Sequence, residues 1–253
     1  MTRQVGGEPL LPAPVEYTSP MTTLSPNATS LLVVDVQRGF TDLCPTELPV
    51  PGGAEIVPAV NALLALPFAR VDATQDWHPP DHCSFLGQRD NLYPPHCVAG
   101  TPGAEFLPDL HTDRFSTIWR KGYDRDFEAY AVTAQHPGFA GFLKASGIVT
   151  VVVCGIATNI CCFYAARDLR LAGFEVWLAE DASAGIDIPA AGLFQAKAKD
   201  EGIAIGIRYT TAAEVAHHIQ GVAPGTQGDA LGTQGDALGT QGVAPGTQGV
   251  ALG

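Results

Sequence analysis

The sequence has no apolar run approaching the ~20 residues that a membrane-spanning helix needs, so a membrane is not expected as a partner. Residues 1–20, MTRQVGGEPLLPAPVEYTSP, contain no apolar h-region and do not read as a secretory signal. Positive charge is also scarce: 14 Lys and Arg stand against 26 Asp and Glu, a net charge of −12. That balance argues against nucleic acid or an anionic membrane surface as the main partner. The six cysteines do not form a spaced framework, since Cys161 and Cys162 are adjacent and Cys154 lies in a buried-type strand. Reduced thiols in a cytoplasmic setting are therefore expected rather than disulfides.

A hydrophobic content of 46% over 253 residues is enough for a substantial core. Both ends look separable from it. Residues 1–28 are rich in Pro and Gly, and residues 220–253 carry the seven-residue units GTQGDAL, GTQGDAL, GTQGVAP and GTQGVAL. Such units have too little apolar mass to offset chain entropy, and two glycines per unit speak against a heptad coiled coil. Both ends are expected to be disordered, leaving residues 29–219 as one α/β domain. Within it, strand-like segments alternate with helix-like ones. The strands are expected at Ser30–Asp35, Arg70–Gln75, Phe115–Arg120, Val149–Cys154, Phe174–Ala179 and Ile203–Ile207. The helices are expected at Glu55–Leu66, Phe139–Ser146, Ile160–Ala172, Ala190–Glu201 and Ala212–Ile219. Alternation of this kind implies βαβ units and a parallel sheet.

The densest cluster of chemistry is VVVCGIATNICCFYAARD, residues 151–168. A β-branched run ends at Gly155 and an amphipathic helix follows, with Thr158 or Asn159 as its expected N-cap. Cys161 thus sits where a buried strand turns into a helix, a position that favours a reactive thiolate. Cys154 reads as inert core. Periodicity alone does not separate Cys161 from Cys162.

In a doubly wound sheet, sites form outside the carboxyl ends of the strands. Four successive strands here deliver Asp35, then Asp76 with His78, then Lys121, and then Cys161 to one edge. Each has a plain alternative: an Asx cap for Asp35, a solvated surface charge for Lys121, core packing for Cys161. Their coincidence at one edge favours a site, with Asp35 as proton acceptor for the thiol and Lys121 as the supporting cation. Asp76-x-His78-x-x-x-His82, with His96 further on, has the donor chemistry for Zn²⁺, Fe²⁺ or Mn²⁺. Pro79 and Pro80 exclude a regular helix there, so the imidazoles would meet through a turn. Cys83 and Cys97, each directly after one of these histidines, offer a weaker thiolate alternative.

Taken in order, DVQRGF, TQDWHPPDHCSF, YPPHCVAGTPGAEF, RKGYDRDFEAY and CGIATNICC resemble the nicotinamidase/pyrazinamidase branch of the isochorismatase-like cysteine hydrolases, over about residues 29–215. The resemblance implies a three-layer αβα fold with a six-stranded parallel sheet. It implies a triad of Asp35, Lys121 and Cys161, and a divalent metal, zinc first among the choices, held by Asp76, His78, His82 and His96. It also implies a cis peptide at Ile156–Ala157, with the backbone N–H groups of Ala157 and Cys161 facing an oxyanion. Phe40, Tyr93, Tyr130 and Ile156 fall at substrate-facing positions. The implied reaction is hydrolysis of nicotinamide to nicotinate and ammonia through a cysteine thioester, within NAD salvage, with pyrazinamide as a further substrate. Asn159-Ile160, Tyr93, Ala131, Cys162 and the glycine-poor LCPTELPV depart from the usual pattern and bear on substrate preference. The rival readings are a metal-independent cysteine amidase acting on ureido or carbamoyl substrates, a non-catalytic metal-binding relative, and a thiol redox protein using Cys161 and Cys162. Homo-oligomerisation is left open by the sequence.

Overall fold

The computed structural model describes residues 23–220. Of the two ends expected to be disordered, residues 1–28 and 220–253, the stretches 1–22 and 221–253 lie outside the described residues. Packed chain begins ahead of residue 29, because Leu24 is buried and its N–H donates to the carbonyl of His218 at 3.1 Å.

The strands are β1 (Thr29–Val34), β2 (Arg70–Asp76), β3 (Thr117–Lys121), β4 (Thr150–Ile156), β5 (Glu175–Ala184) and β6 (Arg208–Thr210). The helices are α1 (Val57–Leu64), α2 (Val132–Gln135), α3 (Phe139–Ala145), α4 (Phe163–Leu171), α5 (Gln195–Ala204) and α6 (Ala212–Gln220). All strand pairs are parallel, in the order β3-β2-β1-β4-β5-β6. The chain first winds outward through β1, β2 and β3, then returns to the centre and winds the other way through β4, β5 and β6. Right-handed crossovers in opposite directions put α1 and α6 on one face and α2 to α5 on the other. Accordingly α1 packs on α6 and β5, while α4 packs on β5, α2 and α5. All described elements belong to one α/β architecture, and no described helix is long and apolar enough to cross a membrane.

The central strands β1 and β4 are buried at every position, which is why their sequences are continuous apolar runs rather than alternating ones. Each fully buried Val, Leu or Ile there contributes roughly 1.5–3 kcal/mol relative to exposure. Strand β3 is one of the two edge strands and alternates between partly buried and exposed until Lys121, which is buried.

Three local expectations are corrected. The run Ile203–Ile207 is not a strand. Helix α5 continues through Ala204, and Gly206, at φ +85°, ends it with the bond pair Ile207 N–H to Gly202 O and Gly206 N–H to Ile203 O. This Schellman closure, which also ends α3 and α4, needs the left-handed backbone that glycine adopts at no cost, and it delays β6 to Arg208. Neither Thr158 nor Asn159 caps the helix after β4. Thr158–Cys162 forms a π turn leading into α4, and the Asn159 amide instead brackets the backbone of Ile186. Strand β5 extends past Ala179 to Ala184 because the register with β4 slips between Val153 and Gly155.

Gly155 marks that slip. It has φ +123°, and a Cβ there would collide with the Val34 carbonyl of β1. Strain and overpacking then act together, so Gly155→Ala is expected to lower stability by about 3 kcal/mol or more in denaturant unfolding.

Candidate active site

The direction of winding across the sheet reverses between the parallel strands β1 and β4, so the crevice outside their carboxyl ends is the topological switch point of the sheet. Asp35 follows the last residue of β1 and is fully buried. Its φ of +48° turns the chain sharply, and the Gln37 N–H closes the turn on the Asp35 carbonyl at 2.8 Å. Asp76 ends β2 and Lys121 ends β3. The register pairs these two residues directly, so both side chains reach the same edge. Cys161 arrives from the other half of the sheet, on the π turn that follows β4.

These four side chains converge. The Lys121 Nζ lies 2.5 Å from Asp76 Oδ1, 2.8 Å from Asp35 Oδ2 and 3.4 Å from Cys161 Sγ. Carboxylate oxygens of Asp35 and Asp76 and the Cys161 sulfur all lie within 4.8 Å of one another. Thr74 Oγ1 donates to Asp35 Oδ1 at 2.6 Å, whereas Oδ2 receives no well-directed hydrogen bond and keeps a lone pair available.

Burial and charge set the protonation states. Burial alone would drive a proton off Lys121, but Asp35 and Asp76 outweigh it and hold the side chain as an ammonium. Burial pushes the Asp35 carboxyl up to about 6, opposed by Lys121 and reinforced by Asp76. At Asp76 burial pushes the same way but loses to Lys121, His78 and His96, leaving this carboxyl well below the usual range. Burial also raises the Cys161 thiol well above its ordinary value despite Lys121, so at rest the sulfur keeps its proton and needs a base to become a nucleophile.

Beside this group stand the imidazoles. His78 Nδ1 bonds the Gly122 carbonyl at 2.9 Å, which turns Nε2 toward Asp76 Oδ2 at 3.5 Å. His96 Nδ1 bonds the Pro94 carbonyl at 2.8 Å. Burial, then the neighbouring His78, lowers His96 to about 3, so its ring is neutral with a lone pair to offer. Potential ligand atoms of Asp76, His78 and His96 lie within 4.8 Å of one another. Backbone carbonyls thus fix both rings by their far nitrogen, the usual arrangement around a metal-binding histidine, so the donor set fits a divalent ion. His82 stacks against His78 with ring centroids 4.3 Å apart but stands outside that group. Its Nδ1 meets Ser84 Oγ at 2.8 Å and its Nε2 the Phe127 carbonyl at 3.3 Å, so both nitrogens are turned to other partners. Neither Cys83 nor Cys97 joins the cluster, and all six cysteines are free.

A cavity of about 390 Å³, counting its open mouth, leads to Cys161. Phe40, Tyr93 and Tyr130 line it as expected, with the two tyrosine hydroxyls 2.8 Å apart. Ile156 does not line it: this residue is the last of β4, fully buried in the sheet. The turn after it presents Ala157 and Ile160 instead, and Leu48, Val50, Glu128 and Ile186 complete the walls. The Ile156–Ala157 peptide is cis.

Sequence reading missed Gln37. Its Oε1 accepts from the Asp76 N–H at 2.8 Å and its Nε2 donates to the Asp76 and Ala104 carbonyls at 2.9 Å each. This bracket fixes the backbone of Asp76. A glutamine three residues beyond an apolar strand, in DVQ, was the available signal, and its full burial explains the bracket, because a buried amide must be satisfied.

Comparison with known proteins agrees with this geometry. The isochorismatase domain model matches residues 29–192. The nicotinamidase of Acinetobacter baylyi is 37% identical over 182 residues, covering 64% of this chain and 84% of the relative. PnC1 from L. infantum, solved in complex with nicotinate, superposes with a TM-score of 0.69 at 34% identity, covering 76% of this chain and 97% of that one. The pyrazinamidase of Pyrococcus horikoshii, solved in complex with zinc, gives 0.63 at 38% identity, covering 73% and 99%. The matched span holds the whole switch-point cluster, Asp35, Asp76, Lys121 and Cys161 included, and by it the chain belongs to the isochorismatase domain family.

Proposed function

We propose that this protein hydrolyses nicotinamide to nicotinate and ammonia through a Cys161 thioester, contributing to NAD salvage, and that it also accepts pyrazinamide. The observation that carries the reading is the contact of Cys161 Sγ with a buried ammonium that also touches Asp35, beside a buried Asp-His-His group. The cavity walls are mostly apolar and aromatic, which suits a flat heteroaromatic ring, and Asp76 stands beside Cys161 in the lining.

Asp35 Oδ2 takes the proton of the Cys161 thiol, and the sulfur adds to the carboxamide carbon. The backbone N–H groups of Ala157 and Cys161 receive the developing oxyanion. The carbon–nitrogen bond breaks as Asp35 returns the proton to the departing nitrogen, so that ammonia leaves and a thioester remains. Asp35 then takes a proton from water, whose oxygen adds to the thioester carbon. The carbon–sulfur bond breaks as Asp35 gives its proton to the sulfur, which restores the thiol, and the acid leaves and loses its proton to solvent as nicotinate. Throughout, Lys121 balances whichever of the thiolate and carboxylates carries charge. A zinc ion held by Asp76, His78 and His96 would supply a Lewis-acidic anchor for a ring nitrogen.

Ammonia release from nicotinamide is expected to fall at least ~10³-fold in Cys161→Ala with circular dichroism unchanged; an active Cys161→Ala protein would overturn the nucleophile assignment. The base role of Asp35 fixes a pH dependence. Only its ionised form accepts the thiol proton, so kcat/KM should climb with pH through about 6 and level off above it, and an acid limb near 4 would contradict the burial of this carboxyl. For the metal, chelator competition should show His96→Ala weakening zinc binding by about a hundredfold and His82→Ala by less than about tenfold. The reverse order would place His82 among the ligands.

A further inference from the structure

Glu47 lies in the loop between Phe40 and Val50, where the sequence shows no chemistry motif. The loop folds back along its own start. The Leu48 N–H donates to the Gly39 carbonyl at 3.1 Å, and the Val50 N–H to the Phe40 carbonyl at 3.0 Å. Leu48 and Val50 thereby supply apolar wall to the cavity that Cys161 also lines. From this wall the Glu47 side chain crosses to another loop, where its Oε2 accepts from the Cys97 N–H at 2.9 Å. That N–H belongs to the peptide joining His96 to Cys97. Cys97 sits in the left-handed region at φ +46°, and its carbonyl accepts from the His78 N–H at 3.1 Å. One carboxylate therefore ties the cavity wall to the loop that carries His96.

Space confirms that this arrangement is specific. Gly39 and Gly103 both lack left-handed φ angles, so neither is needed for backbone freedom. A Cβ on either residue would strike the Glu47 carboxylate. Two glycines thus leave a slot that the carboxylate fills, and a third segment, Pro102–Ala104, closes around it. The Ala104 carbonyl in that segment accepts from Gln37, which brackets Asp76, so the slot abuts the frame of the metal-type cluster.

We propose that Glu47 is a positioning residue that clamps the Leu48–Val50 wall to the His96 loop and so governs capture of the substrate ring rather than the chemistry at Cys161. Its effect on turnover rests on the amidase reading above; the clamp itself rests on the geometry. Hydrogen exchange on the full-length protein tests the clamp directly. In Glu47→Ala, peptides covering 44–50 and 94–99 should exchange about tenfold faster while those of β1 and β4 stay unchanged. KM for nicotinamide should rise about tenfold with kcat within about threefold. Glu47→Gln keeps an oxygen acceptor and should bring exchange and KM back to within about threefold of the parent. Unchanged exchange at 94–99, faster exchange across the whole sheet, or a fall in kcat at constant KM would each overturn the proposal. If Glu47→Ala does not fold, Glu47→Asp, one methylene too short to reach Cys97, is held to the same exchange outcomes. Should the parent protein fail to hydrolyse nicotinamide, the functional reading falls while the exchange result still decides the clamp.

Discussion

A single buried ammonium organises this molecule's chemistry. Lys121 is 1% exposed and touches two carboxylates and a thiol that come from three different strands or their following turns. An unpaired lysine in that position would lose its proton, and unpaired Asp35 and Asp76 would gain them. Only the assembled group is stable in its charged form, and it assembles only if β1, β2, β3 and the π turn after β4 are all in register. Desolvation opposes the buried pairing, and removing one member would leave an uncompensated charge inside the protein. The cluster therefore demands a correct sheet more than it strengthens one.

The same ammonium separates two carboxylates that differ little in sequence. Asp76 has two imidazoles as further neighbours and stays ionised, which suits a ligand. Asp35 has a hydroxyl and a turn around it, and burial holds its proton to about pH 6, which suits a group that must take and return one. Their contributions to stability run in opposite directions. For Asp76 the folded value lies below the unfolded one, so its contribution is present above about pH 4 and is lost as the pH falls. For Asp35 the folded value lies above the unfolded one, so its contribution is fully present below about pH 4 and is lost as the pH rises through 6.

Much of this was legible because strand ends are legible. Asp35 directly follows an apolar run, Asp76 and Lys121 end their strands, and Cys161 lies on the turn after a glycine-marked strand end, and a parallel sheet sends successive strand ends to one edge. What resisted reading was decided by non-local packing. His82 has the right spacing but is drawn away by Ser84 and by a carbonyl 45 residues distant. Asn159 has the chemistry of a helix cap, yet it is used to hold the turn at Ile186. Ile203–Ile207 is β-branched, but one glycine at φ +85° makes it the end of a helix. Ile156 lies beside the site in sequence and points into the sheet, because its neighbour begins a new direction of chain. Glu47 sits in a segment with no periodicity, and its partners are glycines whose role is the room they leave.

The placement of Lys121 on β3 has a further consequence. Two members of the buried cluster hang from the centre of the sheet, where every residue is enclosed, but the cation hangs from its border, a five-residue strand with Ile118 46% exposed and one flank without a neighbouring strand. Border strands open at lower free energy than central ones. Peeling of that one ribbon would leave two buried carboxyls and a thiol without their cation inside an otherwise intact scaffold, so warmth or mild denaturant should break up this cluster before it melts the protein.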